Sequence, residues 1–358
     1  MRLTHSGAIY VTLSIMLAGN CGDGGVSEYN DHVSVLTGIK PTGQPHLGNY
    51  LGAMRPALRL AEGRQAMFFV ADYHALTTLT PPSLLRRLTY EVAASWLAIG
   101  LDHGRTIFYR QSDIPQIFEL FWLLCCATPK GMVNRAHAYK ALLEANTRAG
   151  RDQDQSVNMG LYNYPILMAS DILLFDANVV PVGTDQAQHV EMARDIAARF
   201  NARFGPVLSV PDLLVMGDSE PITGLDGRKM SKSYGNTIPL FASSGDMQRL
   251  FLRYRTDSSR ANAPKDPDTN GLFRIYSQFV SADETAAVHA ALRTGQMTWR
   301  RLKEVTATAV EAELGDARDR YETLVHQPDE LERIFALGAA KARPIAEETL
   351  QRVRRALG

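Results

Sequence analysis

The sequence predicts an α/β protein, a parallel sheet wrapped by helices and followed by an all-helical C-terminal region. Two observations predict the sheet. Short apolar runs rich in β-branched and aromatic residues (33–39, 67–70 and 106–110) alternate with helix-length stretches. Each run also ends in a polar or glycine-bearing turn, as strands of right-handed βαβ units do. A third observation predicts the helical end: from about Asp246 onward the pattern turns helical, most clearly over 329–336 and 344–357.

Residues 33–39 (VSVLTGI) form the first strand and run into the turn Lys40-Pro41-Thr42-Gly43. A helix follows over about 49–61. Residues 67–70 (MFFV) are a buried strand ending at Ala71-Asp72-Tyr73-His74, and 82–99 are a helix closed by Gly100. Residues 106–110 (TIFYR) are a third strand, followed by Gln111-Ser112-Asp113. The turns at 40–49, 71–74 and 111–113 share the carboxyl edge of the sheet, where ligands of such folds sit. A further helix pattern covers 186–200.

The chain has 358 residues, enough for about two domains. With 45% hydrophobic and 21% charged residues it can bury a core, which excludes generic disorder and collagen-like structure. Thirty-eight basic residues balance thirty-eight acidic ones, so no global positive field points to nucleic acid, although a local basic face stays open. Three cysteines, Cys21, Cys125 and Cys126, exclude a disulfide scaffold, argue against a structural zinc site and fit a reducing compartment. Residues 1–32 outline a signal peptide, with an apolar run at 8–17 before Cys21. Asn20 is a poor cleavage residue, however, and ten apolar residues are too few to span a bilayer. They are read as an N-terminal extension or a misassigned start. No other segment is long enough to be transmembrane.

Two segments carry chemistry. In Pro41-Thr42-Gly43-Gln44-Pro45-His46-Leu47-Gly48-Asn49, glycine lets the backbone approach a nucleotide and the following helix start presents N–H groups to anions. His46 and Asn49 add donors. Far downstream, Gly224-Leu225-Asp226-Gly227-Arg228-Lys229-Met230-Ser231-Lys232-Ser233 places two lysines three apart on a mobile loop, able to follow charge onto a departing pyrophosphate. Taken singly, the first could be a tight βα loop and the second a solvated basic loop.

Together they resemble the HIGH and KMSKS signatures of class I aminoacyl-tRNA synthetases, and within that class the tryptophanyl-tRNA synthetase family. The similarity runs from about Val33 to the end, with further matches at Thr37–Gly43, Tyr164–Leu174, Val180–His189, Thr256-Asp257-Ser258 and 330–342. The resemblance implies a Rossmann-type catalytic domain (33–240) with an inserted helical segment and a helical tRNA anticodon-binding region (241–358). It implies ATP-dependent activation of L-tryptophan to tryptophanyl-adenylate and transfer to tRNA(Trp), Mg²⁺ carried by ATP, a homodimer, no membrane and a cytoplasmic location. His46, Asn49, Lys229 and Lys232 fall on catalytic positions. Lys40, Pro41, Thr42, Gly48, Gly183, Thr184, Asp185, Ile222, Met230, Ser231 and Ser233 join Asn49, Lys229 and Lys232 in the expected ATP site. Ile222 is expected to meet adenine through its backbone.

Met168, Asp171, Ile172 and Phe175 fall at i, i+3, i+4 and i+7, one helix face with a carboxylate set among apolar residues. An indole is an apolar body with one N–H donor, and a lone acceptor in an apolar pocket is its complement. The family places its indole acceptor at Asp171, with Met168, Ile172, Val180 and Val182 as walls. Gln186, His74 and Tyr164 match polar positions around the amino acid, His74 and Gln186 on its ammonium and carboxylate side. Plainer readings exist: Ser170 and Asp171 as helix caps, Asp185 as an N-cap, His74 as a core histidine.

The chain also departs from the pattern. Lys40 stands where many members have glutamine, Leu36 where phenylalanine is common, and His46 where threonine is common. Lys140 matches one of two lysines facing the triphosphate, and the other position is Leu142. Tyrosyl-tRNA synthetase shares the fold, but a phenol asks for a partner that is both donor and acceptor. A non-catalytic relic would not need His46, Asn49, Lys229 and Lys232 intact. A nucleotidyltransferase sharing only HxGN would not need the helical end. Four C-terminal arginines, Arg343, Arg352, Arg354 and Arg355, are available for the anticodon.

Overall fold

β1 (Val35–Ile39), β2 (Ala66–Val70), β3 (Ile107–Arg110), β4 (Val179–Val182) and β5 (Asp212–Val215) form one parallel sheet in the order β3-β2-β1-β4-β5. The computed structural model describes residues 33–358 apart from 79–80 and 217–220, with only the backbone at 185. The reading of 1–32 lies outside the described residues. The three strands read from sequence are present within two residues at either end. β4 and β5 are additional to them. Pro181 breaks the β4 pattern and Asp212 opens β5, so neither looks like a buried run.

Strand order reverses between β1 and β4, which puts a crevice at their carboxyl ends. β4 pairs with β5 along all four residues but with β1 only at Val35↔Val179. Pro181 has no N–H to give to β1, so the two strands part beyond that first pair. The parting is where the site lies.

Between strands the chain forms α1 (Leu47–Asn49), a π-helical turn (Tyr50–Met54) and α2 (Arg55–Ala61), then α3 (Asp72–Ala75) and α4 (Pro82–Ala98). The helix read over 49–61 thus begins two residues earlier. α5 (Gln116–Ala127), α6 (Lys130–Val133), α7 (His137–Arg148) and α8 (Met159–Leu173) separate β3 from β4. α9 (Ala187–Phe204) follows β4 after a 3-10 turn, Thr184–Gln186. α10 (Ser244–Arg253), α11 (Gly271–Ser277), α12 (Ala282–Arg293), α13 (Trp299–Val325) and α14 (Pro328–Leu357) complete the chain. Among the described residues no helix is long and apolar enough to cross a membrane.

Alternation along the strands sorts the core into two layers. Val35, Phe68, Val70 and Phe108 pack on one face with α1, α2, α4 and α13. Leu36, Met67, Phe69 and Tyr109 pack on the other with α5, α8 and α9. α14 spans both layers: Ile334 and Phe335 join the first, while Ala339, Ala342, Ala346 and Leu350 join the second. It thereby covers β3, an edge strand that would otherwise stand open. Contact there is very close, because a Cβ on Gly338 would lie 1.7 Å from the Phe108 carbonyl oxygen. Small residues at the contact erase the large-apolar periodicity, which is why 329–336 and 344–357 read as two helices. The structure has one, running through Pro344.

Three of the C-terminal arginines fasten this helix. Arg343 Nε donates to the Asp113 carbonyl (3.0 Å), Arg352 pairs with buried Asp176, and Arg354 pairs with Glu119 and Glu347. Arg355 alone of the four makes no side-chain hydrogen bond or ion pair among the described residues. Thr256-Asp257-Ser258 is likewise a fastening, since Trp299 Nε1 donates to Asp257 Oδ1 (2.9 Å).

Candidate active site

A cleft of about 1210 Å³ opens where β1 and β4 part. It is lined by Lys40, Thr42, His46, Gly48 and Asn49 on one side and by Gly183, Thr184 and Gln186 on another. Ile222, Lys229, Met230, Ser231 and Lys232 close its mouth, while Leu36, His74, Tyr164, Met168, Asp171, Ile172, Val180 and Val182 form its inner end. The structure thus brings together nearly all the residues expected from sequence. Three expected site positions and one residue of the expected helix face differ. Pro41 and Ser233 adjoin the cleft without lining it. Phe175 lies past the end of α8, fully buried against Tyr109. Lys140 is exposed on α7 and, like Leu142, does not line the cleft, where Ala138 does instead.

His46 is the N-cap of α1 in a reciprocal capping box: its Nδ1 accepts from Asn49 N (3.2 Å) and Asn49 Oδ1 accepts from His46 N (3.1 Å). Burial, helped by the charge of Lys232, pulls the His46 pKa down to about 4. The ring is therefore neutral at pH 7, and accepting at Nδ1 leaves the proton on Nε2 as a donor.

The downstream loop docks onto this turn. Gly48 N donates to Met230 Sδ (3.3 Å), Leu47 N to the Ile238 carbonyl (2.9 Å) and Leu240 N to the Pro45 carbonyl (3.0 Å). Lys232 Nζ donates to the Thr42 carbonyl (3.3 Å), and desolvation at the cleft mouth lowers its pKa. Buried Asn236 shapes the loop by accepting from Ser231 N (2.9 Å) and donating to the Lys229 carbonyl (3.1 Å) and Asp226 Oδ1 (2.6 Å). Sequence reasoning passed over Asn236, whose one signal is its place three residues after the lysine–serine motif. The Ile222 carbonyl accepts from Met230 N (2.8 Å), which ties the loop to the cleft mouth.

At the inner end Asp171 is 1% exposed. Its Oδ2 lies 2.8 Å from His74 Nε2, and Gln111 Nε2 donates to both Oδ1 (2.8 Å) and Oδ2 (3.0 Å). Burial pushes the Asp171 pKa up, while His74 and Gln111 hold it down. His74 therefore serves the carboxylate at the apolar end, where sequence placed it beside the ammonium and carboxylate of the amino acid. Gly38 lets the floor close, because a Cβ there would stand 2.4 Å from the Phe69 ring. Nearer the mouth, the Tyr164 hydroxyl meets His189 Nε2, and His189 Nδ1 lies 2.9 Å from Gln186 Oε1. His189 is a second residue that sequence reasoning did not single out. Asp185 sits inside the 3-10 turn rather than at a cap, since the N-cap of α9 is Gln186.

Lys40 reaches into the cleft from the end of β1, where Nζ donates to Thr77 Oγ1 (2.9 Å). It makes no ion pair among the described residues, and burial lowers its pKa. An apolar inner end, a buried acceptor, three cations and a capped helix start therefore share one cleft.

The family model for class I tRNA synthetases of the W and Y type matches residues 28–315. The chain belongs to that family. It is 51% identical over 330 residues to the tryptophan–tRNA ligase of Pseudomonas aeruginosa, covering 90% of this chain and 73% of that protein. It is 50% identical to the tryptophan–tRNA ligase of Neisseria meningitidis, over 90% of this chain and 97% of that one. Among solved structures, tryptophanyl-tRNA synthetase from Campylobacter jejuni, complexed with ADP and tryptophan, superposes with a TM-score of 0.80 at 36% identity, covering 91% of this chain and all of that one.

Proposed function

We propose that the protein is a tryptophan–tRNA ligase. A carboxylate oxygen of L-tryptophan attacks the α-phosphorus of ATP and pyrophosphate leaves; a ribose hydroxyl at the 3′ end of tRNA(Trp) then attacks the carbonyl of tryptophanyl-adenylate, forming the ester and releasing AMP. One observation carries the reading: a buried carboxylate, Asp171, stands among apolar walls at one end of a cleft whose other end joins His46–Asn49 to Lys229–Ser233. The indole N–H takes the acceptor site that the protein leaves on Asp171. Met168, Ile172, Leu36, Val180 and Val182 cover its faces. Tyr164, Gln186 and Lys40 are near enough to the mouth to hold the ammonium and carboxylate.

ATP lies against Thr42, Gly48 and Asn49 on one side and Gly183 and Thr184 on the other, with Ile222 N–H toward the base. His46 Nε2–H, Lys229 and Lys232 meet charge that grows on the phosphates as the bond breaks, and Met230 and Ser231 set the lysines' spacing. Mg²⁺ is part of the nucleotide substrate. Triphosphate oxygens would carry the ion.

Residues 33–240 are taken as the catalytic domain and 241–358 as the tRNA-binding helical region, in a cytoplasmic enzyme where ATP and tRNA are available. The second copy of a homodimer would cover α5, whose exposed Trp122 stands beside part-buried Phe118, Phe121 and Cys125 on a surface that also shows Tyr73 and Leu76.

The test is ATP–pyrophosphate exchange with each of the twenty amino acids. Tryptophan alone should support exchange. Equal exchange with tyrosine, or none with tryptophan, would overturn the assignment.

A further inference from the structure

Gln111 lies in the 3-10 turn Gln111–Asp113 at the carboxyl end of β3. It is fully buried and does not line the cleft, yet its amide is spent on Asp171, which does. Nε2 donates to both Asp171 oxygens, and Oε1 accepts from Tyr73 N (3.2 Å), which fixes the amide the right way round. The turn is itself held from two sides. Ser112 N donates to Asp72 Oδ1 (3.0 Å). From α14, Glu332 receives Arg110 (2.8 Å) and Arg343 binds the Asp113 carbonyl (3.0 Å).

We propose that Gln111 is a positioning residue for amino-acid selection: it aims Asp171 and keeps it an ionised acceptor with a single site left for the indole N–H. The proposal rests on the tryptophan reading above. An ionised carboxylate offers about four acceptor sites. Gln111 occupies one on each oxygen and His74 one on Oδ2, which leaves one on Oδ1. A packing residue would need neither the paired contact nor the anchored amide. Burial favours the neutral acid, and a protonated Asp171 would present a donor to a donor. The other titratable groups at Asp171 are His74 and Tyr109, whose hydroxyl is buried without a partner among the described residues and would lose its proton only at very high pH. Neither donates to Oδ1 in the structure.

Two variants test this in the full-length protein. Gln111→Met keeps the volume and removes the amide. The KM for tryptophan should rise about 10-fold or more while the KM for ATP stays within about 2-fold, and a benzothienyl analogue lacking the indole N–H should lose little further. Gln111→Glu keeps the shape but sets two carboxyls in contact, which cannot both ionise in a buried site. Its tryptophan affinity, relative to the parent at the same pH, should be poor at pH 8 and recover toward pH 6, as a proton taken up between the carboxyls restores a donor to Asp171.

Equal losses for tryptophan and the analogue in Gln111→Met would make Gln111 a packing residue. So would a pH-independent defect in Gln111→Glu, which decides the matter alone if Gln111→Met folds poorly. Failure of the parent to use tryptophan at all would instead strike the underlying assignment.

Discussion

Replacing Asp171 with asparagine should cost the enzyme selectivity for a reason the contacts make explicit. The parent carboxylate receives Gln111 Nε2 on both oxygens and His74 Nε2 on one, each at 3.0 Å or less. An asparagine has one acceptor oxygen and one NH2 group. Whichever way it turns, the NH2 faces either His74 Nε2 or Gln111 Nε2, or else the incoming indole N–H. Losing the charge weakens the indole bond by about 1 kcal/mol, since charge-assisted bonds are roughly twice as strong as neutral ones. Setting donor against donor in a buried site adds about 1–2 kcal/mol. Together these amount to about 2–3 kcal/mol, or roughly a 30- to 150-fold fall in kcat/KM for tryptophan. Steady-state pyrophosphate exchange with tryptophan and with its benzothienyl analogue measures it. Tryptophan should suffer the loss, the analogue should lose less than about 3-fold, and the KM for ATP should hold. Equal losses would mean that Asp171 only braces α8, and the specificity argument would fail.

Three further outcomes follow from the geometry. Lys232→Ala should slow adenylate formation by about 100-fold or more in single turnover while tryptophan binding changes little, because its contact matters most as charge develops; an unchanged rate would remove Lys232 from the chemistry. Lys40→Met should weaken tryptophan but not tryptamine, which lacks the carboxylate, in equilibrium binding; equal effects on both would show that Lys40 does not meet that group. Gly338→Ala should destabilise the fold by about 3 kcal/mol in urea titration, since the new methyl would sit 1.7 Å from the Phe108 carbonyl oxygen and α14 would have to lift from β3; parent-like stability would refute that packing.

What the sequence revealed and what it hid divide along physical lines. β1 to β3 are continuous apolar runs between turns, and such runs announce themselves. β4 carries Pro181, and β5 is short and begins at Asp212, so both depend on neighbours for their form. His46, Asn49, Lys229 and Lys232 were legible because each lies in a dense local motif. Asp171 stood out as a carboxylate on an apolar helix face. Its clamp, Gln111, lies 60 residues earlier in an ordinary polar turn, and nothing local distinguishes a glutamine that points inward. His189 and Asn236 are similar cases, since their partners are fixed only by the fold. The C-terminal arginines illustrate the converse. They look like a nucleic-acid face in sequence, yet three are spent on Asp113, Asp176 and Glu119. Those three are therefore not free to serve as a nucleic-acid face.

The central claim is that this cleft selects an indole and delivers it to tRNA. Charging of a tRNA(Trp) transcript with labelled tryptophan, in direct competition with tyrosine, tests it in one measurement. Tryptophanyl-tRNA should form with tyrosine excluded by at least about 10³-fold, a margin set by a buried polar partner left unmatched. Incorporation of tyrosine at a comparable rate, or adenylate formation with no transfer to tRNA, would contradict it.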